Sequence, residues 1–217
     1  GERYVEIFTE LGVEQAFSLP YRERAEAERK DWLEQLMSAT GVFFTGGNQL
    51  RISTTLGGTE VSTLVRRMNA NGVIVGGTSA GAAILPEHMI AYGSSGSTPS
   101  AGMVSLAPGL GLTNRFLIDQ HFRERDRLGR LLCALSYNPF AVGLGLDEDT
   151  AAFISPDNVV EVVGSGSVTI VDVDSLGHSS IADASRGEPL CMTDVRIHIL
   201  PQGGQFSLET RQAEPPR

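Results

Sequence analysis

Along roughly the first 150 positions the spacing of apolar residues switches repeatedly between helical periods and short unbroken runs. Residues 21–38 are rich in Arg, Glu and Ala. They carry Trp32, Leu33, Leu36 and Met37 at helical spacing, which predicts a helix. Val42–Thr45 is a short apolar run that predicts a strand ending at Gly46-Gly47. Residues 49–55 and 60–69 read as helices interrupted at Gly57-Gly58. Val73, Ile74 and Val75 form a second strand, followed by a helix from Ala80 to Ile84. A strand at 116–120, a helix at 124–137 and a strand at 143–147 complete the alternation. After position 150 the pattern becomes strand-rich, at 151–154, 159–163, 168–173 and 195–200. Alternation predicts an α/β fold with a doubly wound, mostly parallel sheet, and the tail predicts an antiparallel extension. Ser94–Ala101, a Ser/Gly/Thr/Pro stretch, reads as a flexible loop after the second strand-helix pair.

The junction at 76–82 carries the most chemical information. Gly77-Thr-Ser79-Ala-Gly81 lies in the order strand, tight turn, helix, which is the arrangement of a nucleophile elbow. Glycines permit the sharp turn, and a helix N-terminus such as that at Ala80 offers free N–H groups to a developing oxyanion. A Gly-rich turn between strand and helix also occurs as a purely structural device. Gly46-Gly47 ends the preceding strand where a backbone N–H can meet the same oxyanion, although a plain strand-to-helix turn has the same sequence.

A serine hydroxyl needs a base and a group to orient that base. His88, His178 and His198 read as surface or satisfied histidines in a loop, a turn and a strand face. His121 differs, because it closes the apolar strand pattern Phe-Leu-Ile-Asp-Gln-His at the edge where α/β sheets place ligands. Gly143-Leu-Gly-Leu-Asp-Glu-Asp is a strand ending in three acids. Strand alternation lets Glu148 face back toward His121 while Asp147 and Asp149 point elsewhere. The chain order Ser79, His121, Glu148 differs from the serine, acid, histidine order of α/β-hydrolases.

The segments 41–50 (Gly-Val-Phe-Phe-Thr-Gly-Gly-Asn-Gln-Leu), 76–82, 119–131 (Asp-Gln-His-Phe-Arg-Glu-Arg-Asp-Arg-Leu-Gly-Arg-Leu) and 143–151 resemble the cyanophycinase family. These are serine peptidases related to aspartyl dipeptidase and, more distantly, to class I glutamine amidotransferases. The likeness runs in order to about residue 210. It implies a flavodoxin-like, class I glutamine amidotransferase-like sheet in one domain over 1–217. It also implies Ser79 as nucleophile, His121 as base and Glu148 as orienting acid, with the Gly47 and Ala80 N–H groups as the oxyanion hole. The implied reaction is exopeptidase cleavage of cyanophycin, a poly-aspartate bearing arginine on each β-carboxyl, to β-Asp-Arg; no cofactor or metal is implied. Gln49 is implied to contact substrate, with Asp119 and Gln120 lining the pocket and Asp119 facing a substrate guanidinium. Asn48 stands where relatives more often carry Asp.

Arginines at 123, 125, 127 and 130 are interleaved with Glu124 and Asp126, a pattern usual for a solvated helix face. Their place beside His121 and the family pattern turn Arg125, Arg127 and Arg130 into candidates for a carboxylate clamp, while Arg123 falls where the family varies. An aspartyl dipeptidase shares the triad but is expected to lack this segment, and an intact Ser/His/Glu set argues against a non-catalytic binding protein. The resemblance also places residue 1 in the family's second helix, so an opening strand and first helix are expected to be missing from this chain. A homodimer and a cytoplasmic location are further expectations.

Composition narrows the classes and adds little else. With 41% hydrophobic and 20% charged residues the chain is of ordinary globular make-up. A net charge of −9 argues against a nucleic-acid partner, and no apolar run reaches the length of a membrane span. The two cysteines match neither a metal spacing nor a disulfide framework. Cys133 reads as helix core, which weakens a cysteine-nucleophile reading, and Cys191 reads as inert.

Overall fold

The computed structural model describes residues 1–216 as a mixed α/β fold with parallel and antiparallel strand pairs. They divide into two compact units, one of residues 1–87 with 108–112 and one of residues 88–107 with 113–216. The first unit holds α1 (Glu2–Glu10), a 3-10 turn (Arg24–Glu28), α2 (Lys30–Met37), β1 (Gly41–Phe44), α3 (Gln49–Leu56), α4 (Glu60–Ala70), β2 (Ile74–Gly77) and α5 (Ala80–Ala83). β1 and β2 pair in parallel, Gly41 opposite Ile74 and Phe44 opposite Gly77. α4 buries Val61, Val65 and Met68 along one stripe, the spacing that keeps an amphipathic helix on a core.

The helix expected over 21–38 is in fact two elements. Arg29 has an extended backbone (φ −68°, ψ 115°) and separates the 3-10 turn from α2. The Glu26 carboxylate draws the chain into the turn by accepting the Glu23 and Arg22 N–H groups at 3.1 and 2.6 Å. The Arg29 guanidinium lies 4.0 Å over the Trp32 ring and pairs with Asp31.

The second unit begins with β3 (His88–Gly93) and β4 (Val104–Pro108), whose last residue belongs to the first unit; the sequence pattern assigns neither strand and places only His88 in a loop. It continues with β5 (Phe116–Gln120), α6 (Leu128–Tyr137), β6 (Val142–Leu146), β7 (Thr150–Ile154), β8 (Val159–Gly164) and β9 (Ser167–Asp172). Short strands β10 (His178–Ser179) and β11 (Met192–Thr193) precede β12 (Arg196–Pro201), β13 (Gln205–Ser207) and β14 (Gln212–Glu214). One sheet has the order β12-β9-β6-β5, in which β5 and β6 run parallel and the other pairs antiparallel. A second, antiparallel sheet has the order β14-β13-β8-β7. The expected β-rich antiparallel tail is therefore present, and β13 and β14 extend it beyond the sequence reading.

The helix expected from 124 starts only at Leu128. Before it the chain makes a turn in which Arg125, Asp126 and Arg127 N–H groups donate to the His121, Arg123 and Phe122 carbonyls. Asp126 sits at φ 47°, a left-handed conformation that a helix cannot contain. The 94–101 loop is stitched down: Gly96 N–H donates to Asp126, Gly129 N–H to Gly96, and Leu190 N–H to Pro99. The core of this unit gathers Leu117, Phe122, Leu131, Cys133, Leu135 and Val171. β6 alternates Gly143 and Gly145 with Val142, Leu144 and Leu146 because α6 and the turn before it approach closely. A Cβ on Gly145 would fall 2.5 Å from the Phe122 ring. Gly145→Ala is accordingly expected to cost about 1–3 kcal/mol of stability, read as a lower midpoint in urea unfolding; an unchanged midpoint removes this account of the glycine.

Among the described residues no helix is long and apolar enough to cross a membrane.

Candidate active site

In the first unit the elbow is built as its glycines require. Ser79 has φ 53° and ψ −121°, a conformation that a residue with a side chain adopts only when its surroundings enforce it. The enforcement is close packing: a Cβ on Gly81 would collide with the Phe44 carbonyl, and one on Gly77 with the Gly81 carbonyl. Thr78 N–H donates to the Phe44 carbonyl at 3.0 Å, extending the β1–β2 ladder to the residue before the serine. Gly81, Ala82 and Ala83 N–H groups are used within the turn by the Thr78 and Ser79 carbonyls, and Ala80, buried, opens α5 ahead of them.

The β1–α3 turn meets the same point. Ser79 Cβ lies 3.3 Å and its Oγ 3.7 Å from where a Gly46 Cβ would stand, so a side chain there would crowd the serine. Gly47 follows with φ 139° and is exposed. Asn48, exposed, caps α3 by accepting the Arg51 N–H at 2.9 Å. Asp caps equally well, so an exchange between the two residue types has a structural basis here. Gln49, half-buried, is the first residue of α3.

In the second unit the base and acid candidates meet. His121 Nδ1 lies 2.8 Å from Glu148 Oε1, with side chains 25% and 54% exposed. An ionised carboxylate is only an acceptor, so Nδ1 carries the proton and exchange falls to Nε2. His121 itself is at φ 50° immediately after β5. Asp147 faces the interior and Asp149 sits in a turn at φ 50°.

The polar end of β5 departs most from the sequence reading. Asp119 is 1% exposed, and both its oxygens are engaged: Oδ2 accepts Arg130 Nε at 2.5 Å, and Oδ1 accepts Arg130 Nη2 together with Arg127 Nη1 at 3.2 Å. Arg127 Nη1 also donates to the Gln120 Oε1 at 2.8 Å and to the Gln120 carbonyl. The two arginines, expected on a helix face or in an open clamp, thus hold Asp119 and Gln120 inside the fold, and Asp119 has arginine partners of its own chain. Burial pulls the Arg127 guanidinium below its ordinary pKa; Asp119 opposes this and Arg130 and Arg125 add to it. Arg127 Nε is buried without a hydrogen-bond partner among the described residues. Arg125 is exposed, and Arg123 pairs with Glu124 at 3.4 Å and approaches Asp147 at 3.9 Å. Sequence reasoning missed Asp147 as an internal anchor; the signal available was only that it opens the acidic strand end. No group of three His, Cys, Asp or Glu side chains among the described residues is placed to hold a metal ion.

A left-handed serine between two sterically required glycines, and a carboxylate-bound histidine at a strand end, are each features that serine hydrolases use. The sequence profile of peptidase family S51 matches residues 2–162. The chain belongs to that family and is a serine peptidase. Its relatives include a cyanophycinase of Geminocystis herdmanii, 42% identical over 98% of this chain and 78% of the relative. A cyanophycinase of Nostoc sp. is 43% identical over 99% of this chain and 72% of the relative, and one of Synechococcus elongatus is 42% identical over 99% and 67%. Among solved structures, that of a peptidase from an acI-B1 Actinobacterium covers 96% of this chain and 78% of its own length with a TM-score of 0.65 and 22% identity, a likeness of fold.

Proposed function

We propose that this chain is a serine-type exopeptidase that hydrolyses cyanophycin, multi-L-arginyl-poly-L-aspartate, to β-Asp-Arg dipeptides. The observation that carries the reading is Ser79 at φ 53°, ψ −121° between Gly77 and Gly81, the conformation that lifts a nucleophilic oxygen clear of a strand-to-helix turn. The choice of substrate is supported by relatives named cyanophycinase, 42–43% identical over almost the whole chain.

In this reading Ser79 Oγ attacks the scissile carbonyl carbon while His121 Nε2 takes its proton. The charge gathering on the carbonyl oxygen is met by the Ala80 and Gly47 N–H groups; one such donor lowers a barrier by about 2.7–4 kcal/mol. His121 returns the proton to the leaving amine, the dipeptidyl ester remains on Ser79, and water, deprotonated by His121, releases it. Glu148 holds the imidazole tautomer through the 2.8 Å contact and stabilises the imidazolium.

Substrate contacts are assigned to Gln49, Asp119, Gln120, Arg125, Arg127 and Arg130. Two buried guanidiniums share one carboxylate, Asp119, which leaves a local surplus of positive charge and an unmet Arg127 Nε donor. The surplus charge suits the carboxylate of a β-aspartyl peptide. The doubly wound, class I glutamine amidotransferase-like sheet, the homodimer and a cytoplasmic location belong to the same proposal. The parallel pairs β1–β2 and β5–β6 support the first of these.

Purified protein incubated with insoluble cyanophycin is expected to clear it and give β-Asp-Arg as the main product by mass spectrometry, with casein and α-linked Asp dipeptides left almost untouched. Free arginine as the main product, or faster cleavage of α-linked dipeptides, overturns the substrate assignment.

A further inference from the structure

The turn that carries His121 and the strand end that carries Glu148 are laced together by bonds that do not involve either catalytic side chain. β5 and β6 pair in parallel up to Gln120 and Leu146, and the ladder continues as Phe122 N–H donates to the Leu146 carbonyl at 2.9 Å. The next rung is made by a side chain. Asp147 Oδ1 accepts the Arg123 N–H at 3.1 Å, and Oδ2 accepts both the Ser167 N–H at 3.1 Å and its hydroxyl at 2.7 Å. Asp147 N–H in turn donates to the Ser167 carbonyl at 3.2 Å. On the outer side Glu124 Oε2 accepts the Glu148 N–H at 3.3 Å. The Asp147 side chain is 1% exposed, and a Cβ on Gly166 would come within 2.9 Å of it, so the neighbouring chain is built around this carboxylate.

His121 at φ 50° and Asp149 at φ 50° flank this lacing. Left-handed conformations of residues with side chains persist where surrounding bonds leave no alternative. Three donors converging on one buried carboxylate, one of them two residues beyond the histidine, supply that constraint.

We propose that Asp147 is a positioning residue for the reaction: its buried carboxylate fixes the left-handed His121 turn against the β6 end, so that the imidazole meets the Glu148 carboxylate. The proposal rests on His121 and Glu148 acting as base and orienting acid. Asparagine at 147 keeps the shape but turns an NH2 group toward one set of donors, so the turn relaxes. A displacement of about 1 Å in such a group costs on the order of 100-fold in rate.

The test is a cycle on the full chain with cyanophycin, comparing Asp147→Asn, Glu148→Gln and the double variant. Asp147→Asn is expected to lower kcat roughly 100-fold with KM within about threefold. In the Glu148→Gln background the same change is expected to lower kcat by no more than about threefold, because groups acting through one another are not additive. In NMR spectra the downfield imidazole Nδ1 proton is expected to broaden or vanish in Asp147→Asn while amide dispersion persists. If Asp147→Asn is not recovered folded, Ser167→Ala enters the same cycle with an expected roughly threefold to tenfold loss of kcat that disappears beside Glu148→Gln. Multiplying effects, or a kcat equal to the parent in the folded 147 or 167 variant, overturn the positioning role alone. A Glu148→Gln variant with full activity overturns the assigned acid and this inference with it.

Discussion

Ser79→Ala is expected to lower kcat on cyanophycin by about four to six orders of magnitude, while binding of the polymer stays close to that of the parent. The hydroxyl is the only atom lost, and the packing of Gly77 and Gly81 and the Thr78 to Phe44 bond, which hold the elbow, remain. The measurement is single-turnover release of dipeptide beside a sedimentation assay for binding to insoluble polymer. Residual hydrolysis within a hundredfold of the parent would show that the nucleophile lies elsewhere.

The second large effect is on stability. Removing Asp119 leaves Arg127 and Arg130, 7% and 5% exposed, without the carboxylate that both of them grip. Uncompensated buried charge of this kind costs about 3–5 kcal/mol, and Asp119→Ala is expected to lower Tm by roughly 10 °C. Differential scanning calorimetry decides it. An unchanged Tm would mean that the two guanidiniums are compensated without Asp119.

What was legible in the chain was local. Gly77, Ser79 and Gly81 announce a strand-turn-helix junction because each glycine is needed by an approach within a few residues or from the adjacent strand. His121 and Glu148 were readable because strand ends and alternation are sequence properties, and the parallel register of β5 and β6 brings those two strand ends side by side. The fate of Arg127 and Arg130 was not readable. Their partner Asp119 lies eight and eleven residues back, across a turn whose left-handed His121 and Asp126 no composition rule predicts. Alternating Arg, Glu and Asp looks like a wet helix face, and only the turn aims two of those arginines inward. β3 and β4 escaped because His-Met-Ile-Ala-Tyr-Gly lacks clean alternation and the Ser/Gly stretch between them suggests a free loop. Those same residues are tied by their backbone to Asp126, Gly129 and Leu190, partners invisible without the fold.

The geometry of the elbow also limits which amino acids can ever replace its serine. Threonine brings the same hydroxyl, yet its second branch at Cβ makes φ near 53° a severe outlier rather than a tolerated one. Cysteine has one substituent at Cβ, as serine does, and fits the same backbone. The backbone at this position therefore accepts an exchange of oxygen for sulfur, while the chemically gentler exchange of one hydroxyl for another is opposed by it.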